Sequence, residues 1–357
     1  MGWEENVRRV TPYTPGEQPK GGRVIKLNTN ENPYPPCPAA VEALSVGADA
    51  LRKYPDPEAA ELVEAIAEAY GVSKEQVFVG VGSDDVLAML FLTFFNSDKP
   101  VLFPDITYSF YDVWCGLFRI PFETKPLDDA FHLRVEDYLS PNGGIVIANP
   151  NAPTGSFLPL SEIERIVSAN ADSVVIVDEA YIDFGGQSAL PLIDKYENLV
   201  VVQTFSKSRS MAGLRVGYAF GSPKLIRYLL DAKYSFNSYT MNAPSIRAAA
   251  EEMRNAHHFR ENCQKIMQTR AWAAKRFREL GFEFEESASN FLFVRHPHMP
   301  AKEIFESLRG RNIFVRWFNR NRIRDYLRVT IGTDAEMYEF FEVLEGYIQR
   351  ARSYSGF

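Results

Sequence analysis

The residues best equipped for chemistry sit in one stretch, Thr204-Phe205-Ser206-Lys207-Ser208-Arg209, with Arg215 eight residues beyond the lysine. The stretch follows an apolar run at Leu199–Gln203. A partly buried lysine can add to a carbonyl and form a Schiff base. Thr204, Ser206 and Arg215 together would make a cup for a phosphate. A solvated loop lysine is the ordinary reading of any single Lys, so the case rests on its neighbours. One of them is Asp178, which ends the apolar run Val174–Val177 in Asp178-Glu179-Ala180-Tyr181. A carboxylate there is costly unless it meets a cation or a protonated ring nitrogen. Structural ion pairing would also satisfy it. Tyr181, three residues on, could reach the same ligand.

Three further segments fit the same pattern. Gly82-Ser83-Asp84 follows the run Val77–Val81 and opens a helical stretch. Exposed backbone N–H groups at such a start can hold a phosphate, although Ser or Asp there also serves as a plain N-cap. Tyr108 follows another apolar run and could stack on a flat heteroaromatic ring, or simply pack. Asn149–Gly155 (NPNAPTG) is a turn-rich segment directly after Ile145–Ala148, suited to a rigid ligand-contacting loop or to a plain connector.

These segments need a scaffold, and the chain supplies one. Short apolar runs at Val77–Val81, Val101–Phe103, Ile145–Ala148, Val174–Val177, Leu199–Gln203 and Val216–Phe220 predict strands. Helical stretches are expected between them at Asp84–Phe95, Ser109–Leu117, Ser161–Ser168 and Pro223–Lys233. Strands apolar on both faces and separated by helices imply a mostly parallel sheet covered on both sides, an α/β architecture. In such sheets ligands bind beyond the carboxyl ends of the strands, where all the segments above fall. The first 40 or so residues, rich in Pro and Gly, read as an arm. After about Asn242 the texture changes to a long helix over Ser245–Leu280, strands at Phe282–Glu286 and Asn290–Arg295, and a helix over Lys302–Leu308. Strands at Ile313–Phe318 and Tyr326–Ile331 and a last helix from Asp334 complete a smaller α+β unit.

The chain has 357 residues, 46% hydrophobic and 24% charged, the balance of an ordinary globular protein. At a prior of about 100–200 residues per domain, two domains are expected. The 39 Lys and Arg against 46 Asp and Glu give a net charge of −7, a poor generic partner for nucleic acid or anionic lipid. Three scattered cysteines offer no disulfide framework or C-x-x-C pair and suggest a reducing compartment. The N-terminal stretch has no apolar core of a signal peptide, and Val86–Phe95 is too short to span a bilayer. A cytoplasmic protein is expected, with no metal.

NPNAPTG, Asp178-x-x-Tyr181 and Ser206-Lys207-x₇-Arg215, in that order, resemble the fold-type I pyridoxal-phosphate-dependent aminotransferases. With LNTNENPYPP near Leu27, KYPDP at Lys53, GVGSDD and YLRVTIGT near Tyr326, the chain more narrowly resembles the histidinol-phosphate aminotransferases over nearly its whole length. The resemblance implies pyridoxal 5′-phosphate carried covalently on Lys207, which also shuttles the proton. Asp178 would pair with the pyridinium nitrogen, Tyr181 would hydrogen-bond the 3′ oxygen, and Tyr108 would stack on the ring. Gly82, Ser83, Asp84, Thr204, Ser206 and Arg215 match positions around the cofactor phosphate, Ser83 and Asp84 through backbone N–H. Tyr54 matches a tyrosine that reaches the neighbouring subunit's phosphate, which implies a homodimer. Arg328 matches the arginine that grips the substrate anion, with Arg316 and Asn30 as further substrate-side residues. The family pattern has Asn immediately before Pro-Thr-Gly, where it contacts the 3′ oxygen; here that position is Ala152. Either Tyr181 supports the oxygen alone, or Asn151 reaches in.

The implied architecture is a seven-stranded large domain at 48–241, with an N-terminal arm at 1–47 and a small domain at 242–357. The implied reaction is transamination between L-histidinol phosphate and 2-oxoglutarate, giving imidazole acetol phosphate and L-glutamate. Rivals are an aromatic-amino-acid aminotransferase, a phosphothreonine-type decarboxylase and a non-catalytic cofactor-binding module. A nicotinamide-dependent dehydrogenase is disfavoured because GVGSDDV lacks the third glycine of the dinucleotide loop. Seven arginines fall from Arg309 to Arg328. Most are expected to be solvated or ion-paired, Arg316 and Arg322 are weaker candidates for an anion pocket, and Arg328 stands apart. It lies inside an apolar run, where an unpaired guanidinium is expensive and an anionic partner is expected.

Overall fold

The computed structural model describes residues 2–20 and 22–355. Its strands, in chain order, are β1 (Ile25–Lys26), β2 (Val77–Gly80), β3 (Val101–Pro104), β4 (Phe122–Lys125), β5 (Gly144–Ala148) and β6 (Val175–Asp178), then β7 (Leu199–Thr204), β8 (Gly217–Gly221), β9 (Phe291–Val294), β10 (Ile313–Phe314), β11 (Arg316–Trp317) and β12 (Leu327–Thr330). The α-helices are α1 (Pro38–Ala43), α2 (Ala48–Leu51), α3 (Ala60–Tyr70), α4 (Ser83–Phe94), α5 (Tyr111–Phe118) and α6 (Leu160–Ala169). They continue with α7 (Pro223–Phe236), α8 (Ala243–Arg254), α9 (Ala256–Glu279), α10 (Ala301–Arg309) and α11 (Asp334–Ser355).

The central sheet has seven strands in the order β2-β8-β7-β6-β5-β3-β4. Only β8 runs antiparallel to its neighbours, β2 and β7; the other pairings are parallel. The apolar runs become this sheet because a strand's side chains alternate between faces and here both faces are covered. Val79, Ile145, Ile147, Val175 and Val201 point to one face, against α3, α6 and α8. Phe78, Val146, Ile176, Val200 and Ala219 point to the other, against α4, α5 and α7. Each fully buried Val or Ile contributes roughly 1.5–3 kcal/mol over exposure, so the sheet is a stiff platform for the loops at its edge. α1 and α8, outside residues 48–241, pack into the first of these layers.

A second core joins α9, α10 and α11 to the antiparallel sheet β11-β12-β9 and to Ile25 and Leu27. Ala152 and Tyr181, from loops of the large sheet, belong to this second core. The two layers therefore meet at the loops that carry the candidate chemistry.

Four expectations change in detail. The stretch Ser245–Leu280 is two helices, because α8 ends at Asn255, whose side chain turns back to the Glu251 carbonyl. The expected strand Phe282–Glu286 reduces to one bridge between Glu283 and Arg295. Ile313–Phe318 divides between two sheets, β10 pairing with β1 and β11 with β12. Edge strand β4, absent from the expected strands, carries exposed polar residues and gives no apolar run to read.

Candidate active site

β6 delivers Asp178 to the carboxyl edge of the sheet, where it is 6% exposed. Tyr111 donates its phenol proton to Asp178 Oδ2 at 2.8 Å, and the Ala180 N–H approaches Oδ1 at 3.3 Å. Among the described residues Asp178 makes no ion pair, so the structural alternative does not hold. Burial pushes its carboxyl up to about 6, opposed by these hydrogen bonds. Its neighbour Glu179 is spent inside the protein, accepting from Ser188 Oγ, the Ala189 N–H and Gln203 Nε2.

Lys207, just past the end of β7, lies across the cavity. Its Nζ donates to the Thr29 carbonyl at 3.0 Å and lies 5.8 Å from the centre of the Tyr181 ring. Ser83, Asp84, Tyr108, Ala152, Asp178, Tyr181, Ser206, Lys207 and Arg215 line one cavity.

One end of that cavity is built for an anion. Arg215 adopts a left-handed backbone at φ +54° and turns its guanidinium to Ser206 Oγ (3.5 Å), the Ala212 carbonyl (3.2 Å) and Asp84 (3.4 Å). Gly82 is the N-cap of α4 at φ +88°, with no side chain to satisfy the first-turn N–H groups. A side chain is strained at that φ, and a Cβ there would stand 2.5 Å from Arg215 Nη2 and push the guanidinium aside. Gly217 plays the matching part from β8, where a Cβ would meet the Ser83 nitrogen at 2.2 Å. An uncapped helix start facing an arginine and a serine hydroxyl is a phosphate cradle. Tyr108 is tied to this end by a 2.7 Å hydrogen bond to Asp84 Oδ1.

The adjoining cavity shares Thr29, Tyr108, Ala152, Tyr181 and Lys207 and adds Tyr13, Arg316, Phe318 and Arg328. Arg316 and Arg328 face each other directly across the β11–β12 pair. Among the described residues neither makes a salt bridge. Arg328 gives one Nη2 bond to the Asn28 carbonyl (2.9 Å), and its buried Nε has no partner. Burial pushes the Arg328 guanidinium down from its ordinary value. Like charges set opposite each other in a sheet are unfavourable, and an anion between them removes the penalty.

Several expected site residues stand elsewhere. Asn151 does not reach the cavity: its amide accepts from Thr107 Oγ1 and donates to the Ile106 carbonyl and Thr154 Oγ1, holding its own loop. Thr204 turns its hydroxyl to the Val216 carbonyl and the Ser206 N–H rather than into the cup. Asn30 does line the adjoining cavity, but it is 1% exposed, its NH₂ donating to Tyr181 and its amide oxygen accepting from Thr330, so it acts on the site through those residues. Arg322 clips onto Asp105 and the Leu127 and Asp128 carbonyls, away from Arg328, and Arg309 pairs with Glu17. Tyr54 is 81% exposed, stacked on Tyr239 and remote from its own chain's cavity.

Sequence reading missed Thr29, Tyr111 and Tyr13. Thr29 acts through a backbone carbonyl, which no side-chain pattern reveals. Tyr111 stands one helical turn beyond Tyr108, a spacing that could have flagged it.

A flat ring with an anionic arm and a protonated ring atom fits this cavity. The arm has Arg215, Ser206 and the start of α4; the ring atom has the unpaired Asp178; a carbonyl has Lys207. Comparison with known proteins agrees. Residues 22–344 match the aminotransferase class I and II family. Histidinol-phosphate aminotransferase 1 of Methylococcus capsulatus is 53% identical over 344 residues, 96% of each chain. The histidinol-phosphate aminotransferase of Lactococcus lactis subsp. cremoris is 49% identical over 356 residues, 99% of this chain and 100% of that one. The crystal structure of histidinol-phosphate aminotransferase from Sinorhizobium meliloti in complex with pyridoxal-5′-phosphate shares the fold at TM-score 0.83 and 24% identity, covering 92% of this chain and 91% of that one. A lysine and a buried carboxylate lining one cavity, full-length likeness and the family match converge: the chain belongs to the class I and II aminotransferases and, within them, to the histidinol-phosphate aminotransferase family.

Proposed function

We propose that this chain transfers the amino group of L-histidinol phosphate to 2-oxoglutarate, yielding imidazole acetol phosphate and L-glutamate, with pyridoxal 5′-phosphate as cofactor. The observation that carries the reading is the unneutralised Arg316–Arg328 pair opening onto the same cavity as Lys207. Bound pyridoxal phosphate supplies an aldehyde for the substrate amine and a protonated ring that absorbs the electron pair of the broken Cα–H bond. Lys207 Nζ would hold the cofactor's aldehyde and would be the group that moves the substrate's α proton. Asp178, ionised against the ring nitrogen, keeps that nitrogen protonated. The Tyr181 hydroxyl donates to the 3′ oxygen, and the face of Tyr108 supports the ring. Arg215, Ser206 and the backbone of Ser83 and Asp84 grip the phosphate. Arg328, with Arg316 beside it, binds the substrate phosphate in one half-reaction and a carboxylate of glutamate in the other.

The test is a set of single half-reactions followed by the absorption of the bound cofactor. L-Histidinol phosphate should convert it far faster than unphosphorylated histidinol or phenylalanine. Equal rates on the first two, or faster conversion by phenylalanine, would assign the chain to aromatic amino acids instead.

Asp178 yields a pH prediction. Its folded value of about 6 lies above the ordinary 3.8. The neutral carboxyl therefore favours the apoprotein below about pH 4, and that contribution is lost as pH rises through about 6. At about 1.4 kcal/mol per unit the loss is roughly 3 kcal/mol. Asp178→Asn should flatten the fall in apoprotein stability between pH 4.5 and 8 seen in urea unfolding, yet lower turnover by orders of magnitude. An unchanged stability profile would show that burial of this carboxylate costs nothing.

Tyr54 supports a reading of the assembly. An 81% exposed tyrosine stacked on Tyr239, with Phe236 exposed nearby in sequence, suits a contact between two copies. We place Tyr54 at the partner's phosphate, in a homodimer whose large unit centres on 48–241. Mixing inactive Tyr54→Ala and Lys207→Ala protomers should then regenerate active sites, one per hybrid dimer. No recovery after exchange of subunits rules the arrangement out. Three buried free cysteines support a reducing, cytoplasmic setting, and no described helix is long and apolar enough to cross a membrane.

A further inference from the structure

Ala152 leaves Tyr181 without a neighbouring amide in its own loop, and Asn151 is committed elsewhere. The amide that does reach the Tyr181 oxygen comes from Asn30, far away in sequence, with Nδ2 at 2.9 Å. Asn30 is held at four points. Its backbone N–H donates to Thr330 Oγ1 (3.1 Å), and its carbonyl accepts from Asn290 Nδ2 (3.0 Å). Thr330 Oγ1 donates its one proton to Asn30 Oδ1 (2.9 Å). The fourth point is the bond to Tyr181 itself.

These contacts fix direction as well as position. A hydroxyl has a single proton, and among the described residues that of Thr330 has no acceptor other than the Asn30 amide, so the orientation that satisfies it turns the amide oxygen to Thr330 and the NH₂ to Tyr181. Tyr181 then accepts from Asn30, and its own proton is left for another acceptor. Among the described residues Tyr181 donates to none, and its ring lines both halves of the cavity. We infer that Asn30 and Thr330 are positioning residues that orient the Tyr181 hydroxyl as an obligatory donor into the cofactor cavity, the service an amide at position 152 does not perform here. The inference rests on the proposed role of Tyr181 toward the cofactor's 3′ oxygen.

Asn30 adopts φ +58°, a left-handed conformation that Asn and Asp tolerate better than other side chains. Asn30→Asp therefore keeps size and backbone but presents only acceptors to both Thr330 and Tyr181. Tyr181 must then donate to position 30, and the cavity loses its donor. Thr330→Val does this without a charge, because the unlocked amide can turn its oxygen to Tyr181. Thr330→Ser retains the lock.

The readout is the acid–base titration of the bound cofactor's visible absorption in the holoenzyme. A hydrogen-bond donor stabilises negative charge on the 3′ oxygen and weakens its hold on the nearby proton, so losing the donor raises the midpoint. Asn30→Asp should raise it by about one pH unit and Thr330→Val by about half a unit, with Thr330→Ser at the wild-type value. In a Tyr181→Phe background both shifts should shrink to a small residue, since the group they orient is gone. The inference is overturned if Asn30→Asp moves the midpoint equally with and without the Tyr181 hydroxyl, or if Thr330→Val leaves it in place. If Tyr181→Phe alone fails to move the midpoint, the role of Tyr181 in the proposed function falls along with the inference.

Discussion

Lys207→Ala should lose turnover by about 10⁴-fold or more, and the pyridoxyl label fixed by borohydride reduction should vanish from the Lys207 peptide. The expectation follows from what surrounds the amine. Among the described residues its amine makes one hydrogen bond, to the Thr29 carbonyl at 3.0 Å, and no salt bridge. Such an amine is held in place but not neutralised by a contacting carboxylate. General acid–base catalysis alone contributes roughly 10²–10⁴-fold, and the covalent link adds to it. Lys207→Arg separates charge from chemistry. Arginine keeps the cation but cannot act as nucleophile or base, so it should be as inactive as alanine. An active Lys207→Arg enzyme, or a label on another lysine, would leave the mechanism without its base. The protein should stay folded in both variants, because Lys207 lies at a cavity wall rather than in either core layer.

The contrast between Lys207 and Thr204 shows what the chain made legible. Both fall at the end of the apolar run that forms β7, and strands apolar on both faces announce a covered sheet and its carboxyl edge. Which way Thr204 Oγ1 points is decided by the Val216 carbonyl, just before the antiparallel strand β8, a contact no local spacing encodes. Asn151 repeats the lesson, its amide captured by Thr107 and Ile106 from a loop 44 and 45 residues away. The segment Asn28–Asn30 was recognisable as a motif, yet its work is done by two carbonyls and one amide. These meet Arg328, Lys207 and Tyr181 through contacts 151 to 300 residues apart in the chain. Residue types at strand ends were therefore readable, whereas side-chain direction and backbone partners across the two cores were not.

Arg328→Ala should weaken both half-reactions, by roughly 2–5 kcal/mol each, or about 30- to 4,000-fold in kcat/KM. The magnitude belongs to a desolvated charge pair rather than to a surface contact. Arg328 sits between the rings of Phe291 and Phe318, with a buried Nε that no protein group satisfies. Directly across the strand pair is Arg316, half-buried, whose guanidinium makes, among the described residues, one hydrogen bond, a 3.4 Å contact with the Thr14 carbonyl. Two facing guanidinium groups without a carboxylate are costly in the free enzyme, so an arriving anion gains both its own pairing and the relief of that repulsion. A phosphate monoester carries about −1.5 to −2 charge, as a phosphorylated side chain does, and can engage both forks. A single carboxylate is satisfied by one. Arg316→Ala should therefore cost histidinol phosphate more than glutamate, whereas Arg328→Ala penalises both. The same difference should appear as selectivity: the preference for histidinol phosphate over unphosphorylated histidinol should collapse in Arg328→Ala and shrink in Arg316→Ala. Of the seven arginines from 309 to 328, most of them expected to be solvated or ion-paired, Arg309 and Arg322 pair with Glu17 and Asp105. Retention of the phosphate preference in Arg328→Ala would move the anion site off the β11–β12 pair and leave the guanidinium at position 328 without a function.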